Sequence, residues 1–261
     1  MKPFSSFRLK LTGLSGLLGV ALFLGIWELV PRVGLANPTL LPPFSAVVAA
    51  VIQLSLSGDL GMHVVASLQR SLYGLMLAIA LGVPLGIAMG RLQVVERFAD
   101  PVLQSFRQTS ALALFPVFLL VFGVSELSKV AVVFWAAVWP ILLNTMSGAR
   151  HVDPILIRSA KTLGATQMDV FRKVVLPASV PSIFTGIRLS AAVSLIVLIA
   201  AEMLGAKAGL GFLVFYSQNV YKIPNMFAAI TTLSIVGLVV NYALVGIEKR
   251  VGRWKEGTIH A

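Results

Sequence analysis

Apolar residues in this chain gather into six long runs, and polar residues gather between them in short intervals. A helix crossing about 30 Å of hydrocarbon needs roughly 20 apolar residues. Runs of that length fall at about 12–30, 64–90, 103–123, 127–147, 183–205 and 227–247. The third opens through a polar stretch, QSFRQTSA (104–111), suited to an interface before the chain dips in. The first follows Lys2, Arg8 and Lys10, the flank of a signal peptide. Its apolar core is long for one, and GLA at 34–36 is a poor cleavage site, so it is read as a retained span. The pattern predicts an all-α polytopic bundle of six spans in a single transmembrane domain, 1–261. The longest interval between spans, about 35 residues, leaves no room for a soluble domain. No internal repeat is visible.

Composition agrees with bilayer as the solvent. Hydrophobic residues make up 57% of the 261, and charged residues only 12%, against about 25% in a soluble domain. The formal charge is +11, and its distribution decides what that means. Lys2, Arg8, Lys10, Arg91, Arg97, Arg107, Arg150, Arg158, Lys161, Arg172, Lys173, Arg188, Lys249, Arg250, Arg253 and Lys255 fall on one side of the spans. Only Arg32, Arg70, Lys129, Lys207 and Lys222 fall on the other. Basic residues mark the cytoplasmic side, so both termini are expected there, and the basic excess reflects topology rather than nucleic acid. Cysteine is absent, and His63, His151 and His260 are scattered. Neither a metal site nor a catalytic cluster is offered. No glycine-rich phosphate loop with its lysine occurs, so the chain is not expected to hydrolyse ATP.

The longest cytoplasmic interval, about 149–182, has the punctuation of two short helices. Asp153-Pro154 reads as an N-cap followed by proline at the first helical position. Leu156, Ala160 and Leu163 recur at helical spacing up to Gly164, a residue suited to the left-handed end of a helix. Thr166 and Asp169 have the spacing of a capping box. Met168, Phe171 and Val175 form a second apolar stripe, which Leu176-Pro177 is expected to close. Stripes this narrow cannot fold alone. They rest either on the chain's own bundle and the lipid headgroups or on a cytoplasmic partner.

Residues 158–177, RSAKTLGATQMDVFRKVVLP, resemble the EAA loop of permease subunits of ATP-binding-cassette importers. That loop has a Glu-Ala-Ala triplet, a glycine four residues after the last alanine, then Leu-Pro. The matching positions are Arg158, Ser159, Ala160, Gly164, Leu176 and Pro177, with Ala165 and Phe171 inside the loop. The triplet itself departs, because Arg158 stands where the family has glutamate and Ser159 replaces the first alanine. A role for that glutamate is therefore not carried over. Three further segments, LPPFSAVVAAV (41–51), GIRLSAAVSLIVLIAAEMLGAKAGLGFLV (186–214) and EKRVGRWKEG (248–257), are similar to the subgroup serving nitrate, taurine and aliphatic sulfonates.

The resemblance implies a type I importer permease fold in a bacterial inner membrane. It implies a homodimer carrying two cytoplasmic ATP-binding subunits, which hold ATP and Mg, and an external solute-binding protein. The two short helices would be the coupling element, sitting in a groove of the ATPase and tilting the spans as it closes. The competing class, a stand-alone secondary transporter or channel, would place ionisable residues near mid-bilayer, and no span shows one centrally.

Within the spans, Gly74, Ala78, Gly82, Gly86 and Gly90 form a small-residue ridge. It serves close helix packing or lines a moving interface. In the fifth span Gly186, Ser190, Ser194 and Glu202 share a face. Glu202 is read as interfacial, or as part of a gate or dimer contact. Asn144, beside Pro140, and Gln108, with Gln104, are weaker pore-lining candidates. Arg70, Arg107 and Arg188 are expected to anchor span ends. Gly205, Gly209 and Gly211 should break the helix on the outer side, where Tyr216 and Tyr221 suit an interfacial belt.

Overall fold

The computed structural model of the protein describes residues 4–252, with side chains over 18–92 and 94–250. Lys2, Arg253, Lys255 and His260, named above, lie outside the described residues, as does the end of the 248–257 segment; the side chains of Arg8 and Lys10 are likewise outside. Among the described residues the elements are all helical: α1 (Phe4–Arg32), α2 (Phe44–Leu56), α3 (Asp59–Arg91), α4 (Gln93–Arg107), α5 (Ala111–Phe122), α6 (Glu126–Arg150), α7 (Pro154–Thr162), α8 (Gln167–Val170), α9 (Leu176–Gly205), α10 (Leu210–Asn219) and α11 (Ile223–Gly252). A π-helical turn, Phe171–Val175, joins α8 to α9.

The all-helical expectation holds. The six apolar runs fall on α1, α3, the α4–α5 pair, α6, α9 and α11. Among the described residues four helices are long and apolar enough to cross a bilayer, and five if α4 and α5, bent by 94°, count as one broken span. The bend falls in the polar stretch 104–111. Alone, α5 would reach about 18 Å, too short to cross.

The chain divides into two units. In the first, Met1–Gly61 with Leu213–Thr232, Trp27 anchors α1 to the start of α2. Its Nε1 donates to the Pro42 carbonyl at 3.1 Å, and its ring packs on Phe44 and Phe227 at 5.4 and 5.8 Å. Glu28, ion-paired with Arg32, accepts from Ser45 N at 2.8 Å and Ser45 Oγ at 2.9 Å. A carboxylate thus caps the positive end of α2, where helix N-termini favour negative charge.

The second unit, Met62–Phe212 with Leu233–Ala261, holds α3, α6 and α9 against one another. The glycine ridge of α3 lies on α6. A methyl at Gly74 would strike the Val133 side chain, one at Gly86 would sit 2.7 Å from the Leu142 carbonyl, and one at Gly90 2.6 Å from the Met146 carbonyl. The constant offset in numbering means that the two helices run parallel. On its other side α6 packs antiparallel to α9, with Gly186 against Pro140 and Asn144, and Gly148 against Ser182. Small residues let the backbones approach without a hydrophobic driving force, which lipid does not supply. The ridge is therefore a packing surface inside the chain. Ile141, Ala78, Ala137 and Ala191 fill the centre of this three-helix core.

Candidate functional site

Two clusters of chemistry flank this core, both within the second unit. The first is the elbow formed by α7 and α8. Asp153 caps α7, accepting from Ile155 N at 2.8 Å, and Gly164 ends it at φ +80°. Thr166 and Asp169 form a complete capping box: Asp169 N donates to Thr166 Oγ1 at 3.1 Å, and Thr166 N donates to the Asp169 carboxylate at 3.3 Å. An ion pair from Lys173 to Asp169, 2.8 Å, adds to the cap.

The expected stop at Leu176-Pro177 is not a stop. The helix continues through the π-turn into α9, so 167–205 is one continuous helical rod of 39 residues. Proline has no N–H to donate, and a wider turn just before it accommodates the missing bond without ending the helix.

The elbow sits on the chain itself by one face. Val170 and Val175 are buried with Ala149 near the end of α6 and Val152 just beyond it, and Ile157, Ala160, Ala165 and Phe171 pack around them. Of the first stripe read from the sequence only Ala160 packs inward. Leu156 and Leu163 point outward, Leu163 87% exposed, together with Ile155 and Met168. Arg158, Ser159 and Gly164 are exposed beside them. The elbow therefore presents a second face, apolar with a basic fringe.

The second cluster lies where the start of α6 and the end of α9 meet α3. Glu202 is 1% exposed and Arg70 5% exposed. Arg70 Nη1 donates to the Glu202 carboxylate at 2.6 Å and to the Ala208 carbonyl at 2.6 Å, while its other nitrogens pair with Glu126 at the start of α6. Glu202 also accepts from Ser67 Oγ and Gly211 N, each at 2.9 Å. Ser67 Oγ in turn accepts from Leu210 N at 2.8 Å, and Gly209 N donates to His63 Nδ1 at 3.0 Å. Gly209 stands at φ +124°, and a methyl on it would meet the Glu202 carboxylate. The helix breaks between Gly205 and Gly209 as expected, whereas Gly211 lies in the first turn of α10, and together they let the backbone fold over a buried carboxylate. A charge here is tolerable because it is paired and hydrogen-bonded on every side the structure shows.

This placement corrects two expectations. Glu202 is not interfacial, and Arg70 does not anchor a span end; they form one buried pair within the chain. The chemistry was visible as two isolated charges 132 positions apart, and nothing in the spacing announced the contact. The remaining candidates lie apart from the cluster. Ser190 Oγ donates to the Ala137 carbonyl at 2.6 Å, Asn144 Nδ2 donates to the Pro140 carbonyl at 2.8 Å, and Ser194 is fully buried. Ser190 and Asn144 belong to the contact between α6 and α9. Gln108 is exposed at the C-cap of α4, and Arg107 is exposed in its last turn. Arg188 is half-exposed and pairs with Glu248 at 3.4 Å. Among the described residues no group of three His, Asp or Glu could hold a metal ion.

Residues 82–254, which include both the elbow and Glu202, match the family of binding-protein-dependent transport system inner membrane components. The chain belongs to this family. A putative aliphatic sulfonates transport permease of Bacillus subtilis (strain 168) is 32% identical over 242 residues, covering 93% of this chain and 88% of that protein. The taurine transport system permease of Escherichia coli (strain K12) is 30% identical over 240 residues, covering 90% of this chain and 87% of that protein. The inward-facing MetNI methionine transporter has a chain of the same fold, with a TM-score of 0.66 at 18% identity over 76% of this chain and 98% of that one. The protein is thus a multi-pass permease subunit of an ATP-binding-cassette importer, and the stand-alone transporter or channel class gives way. The elbow and the buried pair stand at opposite ends of the rod 167–205.

Proposed function

We propose that this single-domain permease works as a homodimer, with two cytoplasmic ATPase subunits seated on its elbows and a solute-binding protein docked outside. ATP and Mg are held by the ATPase; this chain holds no cofactor and does not hydrolyse ATP. Both termini face the cytoplasm, as the basic residues favour, and lipid surrounds the dimer. The solute is a small anion, a sulfonate, taurine or nitrate, in keeping with what the relatives are named for.

The observation that carries the coupling reading is the two-faced elbow. Ala160, Ala165 and Phe171 fasten it to the bundle, while Leu163, Met168, Arg158 and Ser159 are left outward. A large apolar surface in water invites a partner. Leu176 and Pro177 join the seat directly to α9, so a push on the elbow becomes a tilt of a span. To shift two states decisively the push must favour one of them by about 5 kcal/mol, within reach of ATP hydrolysis on the partner.

Co-expression with the ATPase and binding protein of the same operon, followed by purification in mild detergent, tests the assembly. The ATPase should copurify, and reconstituted vesicles should take up taurine or an alkanesulfonate only with ATP and the binding protein. Purification without an ATPase, or ATP-independent uptake, would refute it.

A further inference from the structure

Of the contacts around Glu202, the one made by His63 is open to switching by a single proton. His63, Ser67 and Arg70 follow one another on α3 at steps of four and three residues, which places them on one face. They hold three successive residues of the reversal between α9 and α10. Arg70 Nη1 donates to the Ala208 carbonyl at 2.6 Å, Gly209 N donates to His63 Nδ1 at 3.0 Å, and Leu210 N donates to Ser67 Oγ at 2.8 Å. Glu202 takes the next amide, Gly211 N, at 2.9 Å.

A backbone N–H can only donate, so His63 Nδ1 accepts through its lone pair and the proton of the neutral ring sits on Nε2. A second proton has only Nδ1 to go to, where it would face the Gly209 N–H, donor against donor. The bond therefore exists in the neutral imidazole and is lost in the imidazolium. Ser67 has no such second state, and Arg70 keeps its charge throughout. Among the four side chains that hold the reversal, imidazole is the kind whose charge ordinarily changes between about pH 5 and 8.

His63 is 5% exposed, and its ring centroid lies 5.8 Å from that of Phe212 in the first turn of α10. An imidazolium there would enter a field of charges that already have partners. On α3, Asp59 stands one turn earlier, exposed and bonded by Ser57 Oγ at 2.9 Å, and Arg70 two turns later. From α9, Glu202 lies across Gly209, engaged by Arg70, Ser67 and Gly211. From α6, Glu126 is bonded to Arg70 and is 4.0 Å from Lys129. Lys207 opens the reversal, and the first turn of α10 has no charged residue. Loss of the Gly209 bond leaves a buried donor unmatched, which corresponds to roughly a ten- to hundredfold rise in local opening.

We propose that His63 is a proton-sensitive latch: neutral, it fastens the α9–α10 reversal over the Glu202–Arg70 pair, and protonated, it lets that reversal open. The reversal also supplies the Ala208 carbonyl to Arg70 and the Gly211 amide to Glu202. Acid thus loosens the cover of the buried pair before the pair itself is broken. The latch does not depend on which solute passes or on what sits on the elbow.

Hydrogen–deuterium exchange on the full chain in nanodiscs tests this, each rate being divided by the intrinsic rate at the same pH so that protection alone is compared. From about pH 8 down to about pH 5, protection over residues 207–212 should fall about tenfold or more. Protection over 186–194, in the contact with α6, should hold. His63→Asn puts an acceptor oxygen that does not titrate in the place of Nδ1, so its protection at 207–212 should stay high and flat. His63→Leu offers no acceptor and should be low and flat. The chain has three histidines, so replacing His151 and His260 together by Asn leaves His63 as the sole imidazole. In that background the fall should persist, and the ¹⁵N resonance of Nδ1 should lose its acceptor character over the same pH interval. Protection that ignores pH, a fall of wild-type size in His63→Asn, or a ring that titrates at a different pH from the fall each overturns the proposal. The ring and exchange measurements in the sole-histidine background decide it even if neither His63 variant folds.

Discussion

Replacing Glu202 by Gln should be a strongly damaging change despite its conservative size. The carboxylate receives hydrogen bonds from Arg70, Ser67 and Gly211 within 2.9 Å. An amide keeps the size but turns a donor toward at least one of these donors and removes the negative charge. Arg70, 5% exposed, is then left with Glu126, whose side chain is 67% exposed. Breaking a buried ion pair from one side costs about 3–5 kcal/mol, because the surviving charge stays buried. At roughly 2–4 °C per kcal/mol for a chain of this size, the apparent melting temperature in detergent should fall by about 6–20 °C. Glu126→Gln removes the exposed partner, where screening by water leaves about 0–1 kcal/mol, so its shift should stay within about 4 °C. A third variant separates charge from packing: Glu202→Leu with Arg70→Met deletes both charges and should melt above Glu202→Leu alone. Tryptophan fluorescence on heating, checked by size-exclusion profiles, gives all three values. Equal shifts for Glu202→Gln and Glu126→Gln, or a double variant no better than the single, would show that the pair is not the buried unit described.

Gly209→Ala forces a methyl onto the Glu202 carboxylate at φ +124° and should destabilise by about 1–3 kcal/mol, read by the same melts. Gly86→Leu must separate α3 from α6 and should lower the yield of monodisperse protein, whereas Gly61→Leu, with open space around it, should not. At Gly164 the space is also open but φ is +80°. Gly164→Val should therefore cost only about 1–2 kcal/mol of backbone strain, leave insertion intact, and cut ATP-dependent uptake while the ATPase still hydrolyses; uptake at the normal rate would remove the elbow from coupling. Ser190→Ala deletes a 2.6 Å hydrogen bond to the Ala137 carbonyl and should lower stability by about 1 kcal/mol, with uptake unchanged.

How much of this was legible in the sequence depends on the range of the interaction. The caps at Asp153 and Thr166 and the turn at Gly164 are local, set within four residues, and they formed as the spacing predicts. The glycine ridge of α3 showed that a helix would lie close, because small residues at every fourth position admit little else. That the partner is α6, in parallel register, required the fold. Leu156 and Leu163 went the other way. Helical spacing put them on a stripe, but a stripe on a nine-residue helix does not say which of its flanks meets the bundle. Ile157 and Ala165 won that contact because they face the end of α6. Leu176-Pro177 was misread for a related reason: proline ends an α-helix unless the preceding turn widens, and a π-turn leaves no mark in the sequence. Arg70 and Glu202 were each plausible near an interface alone. Only the chain reversal at Gly205–Gly211 brings backbone donors onto the carboxylate and makes its burial tolerable.

The rod from Gln167 to Gly205 gives these pieces a mechanical relation. At 39 residues it is about 58 Å long, with the elbow at its foot and Glu202 three residues from its tip. Along its middle it is held to α6 through Gly186, Ser190 and Ser182, and α6 is held to α3 through the glycine ridge. Close packing of small residues resists separation, since any gap forfeits the contacts outright. A tilt imposed at the foot is then carried as a rigid movement of neighbouring helices, with the π-turn as the compliant point nearest the load. At the far end the three helices meet again in Arg70, which contacts α6 through Glu126, α9 through Glu202 and the following loop through the Ala208 carbonyl. Arg70 thereby fixes these ends against relative sliding. Any opening between them must either move all three together or exchange a partner of that guanidinium, and Glu126, exposed to water, is the partner whose release costs least.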